Sequence, residues 1–421
     1  MKDPNSAASP RFPAALPGTF WGITTFFNPC RYGNKYENYR IFRKNSQRQK
    51  LNLLAVELAF DDDPFELKDK LDAEILIQLR GIREKNLLWQ RERLLNIGLK
   101  NLPSDCDKVA WIDCDIIFKN DRWVEETAKL LEKYMVVQPF ELAVRPVKGV
   151  YDMSAKEIAV LAFGWNDGQK SLSAGRQYSG KAAPGHPGFC WAQRRSVVEK
   201  HPFYDPMVLG SADTLQAAAY FGIPLPHWVR NDCPEAVLSD YSGWADRIYN
   251  DIKGSVYYTE GTLLHLWHGK NSNRIQDYKF KVLSFLSFDP SQDIRIGPDH
   301  LWEWSSDKPE LHKTVADFFR LRDEEGDNIT LTTVLLDKLS DTRIELSDIR
   351  TELSDALKKL NKLFEIRTRL SHIESSRAYK LACILRRIFY IVLPSPKIRQ
   401  LVVSLTLFVW ERIKITGKAA E

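Results

Sequence analysis

Val109-Ala110-Trp111-Ile112-Asp113-Cys114-Asp115-Ile116-Ile117-Phe118 is an apolar run interrupted by two carboxylates one residue apart. Val109 to Ile112 reads as a short strand buried on both faces, since four successive apolar residues leave no side to show to water. The strand is expected to end at Asp113. Open α/β sheets take their ligands outside the carboxyl ends of the strands, so Asp113 and Asp115 stand where a ligand is expected. A nucleoside diphosphate keeps its charge there only if something neutralises it, and a hard divalent cation on carboxylate oxygen does so. Asp-x-Asp by itself also caps ordinary turns. Its place at a strand end gives it weight.

Outward from this stretch, apolar runs alternate with amphipathic ones. Trp21 to Phe26 and Leu53 to Phe60 read as buried strands, with a helix over Tyr36 to Gln49 between them. Asn86 to Leu99 reads as another helix, because Leu87, Leu88, Leu94, Leu95 and Leu99 recur at helical spacing. Downstream, a helix is expected over Asp121 to Tyr134 and a strand over Met135 to Phe140. Further strands are expected over Gly188 to Gln193 and Val256 to Leu266, and a helix opening near Ser211. Alternating βα units imply an α/β fold with a mostly parallel sheet flanked by helices. The polar, Gly-rich stretch from Gly164 to Gly185 is long enough to be a functional loop.

Two further constellations carry chemistry. His265-Leu266-Trp267-His268-Gly269 closes a predicted strand. Two imidazoles so close can serve one metal if the strand breaks into a turn, as Gly269 suggests; on a regular strand they would face opposite sides. The plainer alternative is one packed and one solvated histidine. In Leu209-Gly210-Ser211-Ala212-Asp213-Thr214, Ser211 is a good N-cap and Asp213 lies in the first turn, where the helix dipole favours a carboxylate. That role is sufficient for Asp213; the functional alternative is a general base that takes the proton of an acceptor hydroxyl.

At 421 residues the chain exceeds one ordinary core, which favours a large domain with something appended. A composition 44% hydrophobic and 27% charged excludes a chain disordered throughout. Cys30, Cys106, Cys114, Cys190, Cys233 and Cys383 are scattered and form no CxxC pair, which suits a reducing compartment. Met1 to Gly18 lacks the apolar run of a signal peptide or anchor, so a cytoplasmic protein with a short disordered leader is expected.

Charge is uneven. From Arg377 to Glu421 nine Lys/Arg face only Glu411 and Glu421, a balance of +7, leaving −2 for everything before it. A basic tail on a near-neutral body suits an anionic membrane surface rather than nucleic acid. Its apolar runs, Ile388 to Leu393 and Leu401 to Trp410, are shorter than a spanning helix needs and are expected either to lie in the interface or to pack on the body. Before it, Leu339, Leu346, Leu353 and Leu360 repeat every seven residues, and Ile349, Leu357, Leu363 and Leu370 form a second line. This is a heptad seam. It fits a long helix folded back on the enzyme or a coiled coil between copies, hence a homo-oligomer.

The ordered set Trp89 to Gly98, Trp111 to Phe118, Gly185 to Trp191, Gly210 to Asp213 and His265 to His268 resembles nucleotide-sugar transferases of the glycosyltransferase-A fold. The likeness is greatest to bacterial family-2-type glycosyltransferases and more remote to β-1,4-galactosyltransferases and polypeptide N-acetylgalactosaminyltransferases. It spans residues 20 to 325, so the expected organisation is a leader over 1–19, a catalytic domain over 20–325, a coiled-coil helix over 326–376 and a basic amphipathic tail over 377–421.

The resemblance implies Mn2+ or Mg2+ held by Asp115 and His268, with Asp113 at the metal or ribose and His265 as a weaker ligand. It places Arg91, Asn96, Thr24, Thr25 and Glu57 on the donor side and Asp213 as base. The implied reaction is transfer from a nucleotide sugar, a UDP-sugar first of all, to a hydroxyl of a glycan or lipid-linked acceptor. Inversion, in the synthesis of surface polysaccharide or lipopolysaccharide at the inner face of the membrane, goes with it. In the animal galactosyltransferases an acidic pair opens the helix where Ala212-Asp213 stands here, so one carboxylate is missing. The rivals are a nucleotidyltransferase or phosphotransferase, which usually carries a Gly-rich phosphate loop not found here, and a catalytically inactive scaffold, which the intact Asp113, Asp115, Asp213 and His268 disfavour.

Overall fold

A computed structural model of the chain describes residues 13–154, 156–162, 183–269, 279–326, 329–392 and, singly, 400 and 404. The chain divides into two units, Met1–Thr332 and Thr333–Glu421. The first begins with β1 (Thr19–Phe27), α1 (Gly33–Arg48), β2 (Asn52–Phe60), β3 (Ile75–Gly81), α2 (Arg83–Asn86), α3 (Arg91–Leu99), β4 (Cys106–Ile112), β5 (Ile116–Phe118) and α4 (Trp123–Leu131). It continues through β6 (Val136–Gln138), β7 (Leu142–Pro146), β8 (Lys156–Ala162), β9 (Ala183–His186), β10 (Cys190–Arg194), α5 (Arg195–Lys200), α6 (Ala212–Phe221), α7 (His227–Asp232) and α8 (Glu235–Ile252). Then come β11 (Val256–Tyr258), β12 (Thr262–His265), α9 (Lys279–Phe285), α10 (Pro290–Asp293), β13 (Ile294–Ile296), β14 (Trp302–Trp304) and α11 (Pro309–Leu321). Helices α12 (Ile329–Ser375) and α13 (Arg377–Val392) follow.

Seven strands form the central sheet in the order β11-β6-β10-β4-β1-β2-β3. β1 pairs in parallel with β2 and β4, and β2 with β3. β10 runs antiparallel to both β4 and β6. The sheet is therefore mostly parallel, as the βα alternation predicts. Because side chains alternate along a strand, Val109 and Trp111 enter the core on one face of β4 while Ala110 and Ile112 enter the core on the other. A second sheet, β5-β12-β7-β8-β9, leaves from the carboxyl end of β4. β5 lies antiparallel to β12, with Ile116 opposite His265. That pairing brings two distant stretches of sequence to one edge.

Several predicted elements are altered by tertiary pairing. The helix expected over Asn86 to Leu99 is interrupted, because the Trp89 N–H donates to the carbonyl of Val208 and Leu88 is fully buried. Val256 to Leu266 is two strands, β11 in the central sheet and β12 in the second. Ser211 precedes α6 but does not cap it: its φ is +78° and its side chain makes no capping bond. Residues 14–18, expected in a disordered leader, are tied down. The Ala14 N–H donates to Glu132, and the Lys108 ammonium donates to the carbonyls of Leu16 and Gly18. The rest of the leader, residues 1–12, and most of the Gly-rich stretch, 163–182, lie outside the described residues.

In the second unit, α12 carries the seam. Leu346, Ile349, Leu353, Leu357, Leu360, Leu363 and Leu370 are all exposed. Helix α13 exposes Leu381, Ile384, Leu385, Ile388, Ile391 and Val392. Among the described residues no helix is long and apolar enough to cross a membrane. Beyond Val392 only residues 400 and 404 are described, so the run Leu401 to Trp410 lies outside them, Ser404 excepted.

Candidate metal and donor site

Asp113 follows β4 directly. Its N–H donates to the Phe189 carbonyl at 2.8 Å, which ties the strand end to the segment entering β10. Its carboxylate is held by Arg91, whose Nε and Nη2 donate to Oδ1 at 3.0 and 2.5 Å. Nη1 of the same guanidinium donates to Glu92 Oε1 at 2.9 Å. Burial draws the Arg91 pKa down, but Asp113 and Glu92 outweigh it and raise it above the usual value. One buried cation thus clamps two carboxylates.

Asp115 meets a different set. It lies in the turn between β4 and β5, and its carbonyl accepts the Leu266 N–H at 2.8 Å. Strand β12 stops at His265 and the chain turns, so His265 and His268 do not face opposite sides. Their Nε2 atoms are 3.0 Å apart. His268 Nε2 is 3.3 Å from Asp115 Oδ2, and His265 Nε2 is 3.6 Å from Oδ1. Ligand atoms of Asp115, His265 and His268 all lie within 4.8 Å of one another. Ligands about 2.0–2.2 Å from one ion sit roughly 3 Å from their neighbours, so the cluster has the dimensions of a divalent-cation site. One carboxylate and two imidazoles suit a first-row ion. Asp113 is not in this cluster.

The two imidazoles differ in readiness. Arg145 places Nη2 and Nε at 3.1 and 3.4 Å from His265 Nδ1. A guanidinium only donates, so Nδ1 accepts and the His265 proton belongs on Nε2, the tautomer that does not ligate through Nε2. The Nδ1 of His268 faces Glu324 Oε1 at 3.9 Å. By this geometry Asp115 and His268 suit a cation better than His265 does.

These groups open into a cleft of about 590 Å3, lined also by Thr25, Arg91, Asp113 and Asp213. Asp213 Oδ1 accepts the Thr214 N–H at 2.8 Å. A side chain on Gly188 would begin 3.1 Å from Asp213 Oδ2 and 2.9 Å from His186 Cε1, so only glycine leaves this approach unobstructed. Beside Asp213 stands Glu92. Burial pushes its carboxyl up, Arg91 pulls it back and Asp213 pushes it up again. Trp89 Nε1 donates to its Oε2 at 3.1 Å. Glu92 on α3 and Asp213 on α6 thus bring two carboxylates to the same cleft.

Three expected donor-side residues do not line the cleft. Thr24 is buried and donates to the carbonyl of Ile112 at 2.8 Å. Glu57 accepts the N–H groups of Glu66 and Leu67 and the Gln78 amide, bracing the chain after β2. Asn96 donates to the Phe203 carbonyl and to Asp205 and accepts the Phe203 N–H. His186, within the Gly185–Trp191 stretch, lines the cleft; so do Glu92, Arg145, Lys35 and Glu324, for which no role was expected. Glu92 had a signal, a carboxylate on the apolar helix beside Arg91. The others had none, because each is brought in by a distant element.

No family model matches the chain, and no curated protein matches it. Among solved structures, the chain is similar to glucosyl-3-phosphoglycerate synthase from Mycobacterium tuberculosis, solved with Mn2+, UDP and phosphoglyceric acid. That match is 11% identical, with 69% of this chain and 88% of that one covered and a TM-score of 0.34. A mutant of β1,4-galactosyltransferase 7 from Drosophila, solved with manganese, UDP-Gal and xylobiose, is 12% identical, with 58% and 70% covered and a TM-score of 0.26. 4-Diphosphocytidyl-2C-methyl-D-erythritol synthase from Anaerococcus prevotii is 11% identical, with 57% and 89% covered and a TM-score of 0.27. These are distant likenesses; what the cleft can do follows from its own side chains.

Proposed function

We propose that the protein is a metal-dependent glycosyltransferase that moves a sugar from a nucleotide sugar, a UDP-sugar first of all, to a hydroxyl of a glycan or lipid-linked acceptor. The observation that carries this is the meeting of Asp115 with His265 and His268 at 3.3–3.6 Å in a cleft that also holds Asp213. Asp115 and His268 would hold a divalent cation, which when bound would supply the positive charge that a departing nucleoside diphosphate needs. Asp113, locked by Arg91, keeps the strand end in place and presents its remaining oxygen to the donor. Asp213 takes the proton of the acceptor hydroxyl as that oxygen attacks the anomeric carbon. Attack from the face opposite the departing diphosphate inverts the anomeric centre.

The extension has its own part in this proposal. Helix α13 and the +7 balance of residues 377–421 attach the enzyme to the anionic inner face of a membrane, near a lipid-linked acceptor for surface polysaccharide or lipopolysaccharide, and the exposed seam of α12 joins copies. Calorimetry of UDP with and without Mn2+, paired with donor hydrolysis by the purified protein, tests the central claim. Tight UDP binding only with Mn2+ is expected; equal binding in chelator would sink it.

A further inference from the structure

The residues from Asp323 to Gly326, which follow α11, interlock with the turn that carries His268. Gly269 has φ +89°, and a side chain there would begin 2.8 Å from the Asp323 carbonyl oxygen and 2.9 Å from Glu324 Cα. Gly326 seats under the Trp267 ring. The same segment is anchored from outside: the Asn34 amide donates to the Glu324 carbonyl at 2.5 Å, the Gly33 N–H to Glu325 Oε1 at 2.6 Å, and Lys148 to the Glu325 carbonyl at 3.0 Å. Strap and turn are therefore held as one piece.

Glu324 is the side chain this strap delivers to the cleft, and it is 5% exposed. Arg322 donates to its Oε1 at 2.8–2.9 Å, Lys35 approaches Oε2 at 3.8 Å, and His268 Nδ1 faces Oε1 at 3.9 Å. We infer that Glu324 is a positioning residue for the metal site, holding His268 in the orientation and tautomer that present Nε2 toward Asp115. This rests on the metal-dependent reading above.

The physical reason is electrostatic. At 3.9 Å the contact is too long for a hydrogen bond. A buried carboxylate opposite Nδ1 nevertheless repels a ring lone pair and attracts an N–H, so it favours the proton on Nδ1 and the lone pair on Nε2, the side that faces Asp115. Ligating histidines are commonly held this way through their second nitrogen. The segment that adjusts the site is thus the last piece of the first unit before α12, far in sequence from Asp115.

The test uses the full-length chain and Mn2+ with UDP as probe, with free Mn2+ read by electron paramagnetic resonance and folding by circular dichroism. Glu324→Gln should lose Mn2+ affinity by roughly 10–100-fold, the scale for removing an outer-shell partner of a ligand. Glu325→Gln, which alters only the strap's outer anchor, should leave it nearly unchanged. If Glu324→Gln fails to fold, Glu324→Asp keeps the charge for Arg322 but withdraws it from His268, and a several-fold loss is expected. Unchanged Mn2+ affinity in a folded Glu324 variant overturns the inference, as does an equal loss in Glu325→Gln. A parent protein that binds no Mn2+ would instead sink the reading on which it rests.

Discussion

Two groups of polar side chains lie near the carboxyl ends of the central strands, and the structure treats them in opposite ways. At the β4–β5 turn, Asp115, His265 and His268 come together in the cleft, with ligand atoms all within 4.8 Å of one another. Thr24 on β1, Glu57 on β2 and Asn96 on α3 are polar too, and were expected on the donor side. Yet each is engaged by backbone groups of its own domain. Position near a strand end does not separate a ligand-binding residue from a brace. What separates them is whether the side chain lines the cleft: Asp115, His265 and His268 do, and Thr24, Glu57 and Asn96 do not.

Substitution at Asp115 should break the first group most severely. Asp115→Ala is expected to abolish Mn2+-dependent UDP binding in calorimetry, a loss beyond the roughly 10–100-fold of an outer-shell change. His268→Ala should act in the same direction but less strongly, since water can fill its place, and His265→Ala less again. Retained Mn2+·UDP affinity in Asp115→Ala would show that this cluster is no metal site.

Next in size is Asp213→Asn. Turnover should fall by roughly 10²-fold or more while Mn2+·UDP affinity stays as in the parent. Asparagine keeps an oxygen for the Thr214 N–H, so a merely structural Asp213 would be nearly silent on substitution. Steady-state kinetics beside calorimetry reads the two quantities separately.

Asn96→Ala sharpens the contrast from the other side. It strands the buried N–H and carbonyl of Phe203, and a loss of roughly 2–3 kcal/mol in chemical denaturation is expected. The Mn2+·UDP affinity of the folded variant should not move. A large change in that affinity would return Asn96 to the donor site.

The smallest effect on the cleft is expected from removing the second unit. Ending the chain after Thr332, rather than at Glu325, retains the strap under Trp267 and should leave folding and Mn2+·UDP affinity unchanged. Sedimentation with anionic vesicles and self-association should both be lost. A truncated protein that still sediments with vesicles, or still self-associates, would remove those roles from the extension.

Strands buried on both faces announce themselves as largely apolar runs, so β1, β2 and β4 and the parallel sheet they build were legible in the sequence alone. So was the seam of α12, whose period is local. The Asp113/Asp115 pair and the His265/His268 pair were each visible as motifs, since both are fixed by spacing within a few residues. Only the tertiary structure decided that the pairs meet through β5 and β12, that Arg91 holds Asp113 apart from Asp115, His265 and His268, and that Arg145 and Glu324 stand opposite the Nδ1 atoms of the two imidazoles. The approach of Glu92 to Asp213 belongs with these. A side chain's hydrogen bonds depend on partners tens to hundreds of residues away, and periodicity carries no record of them.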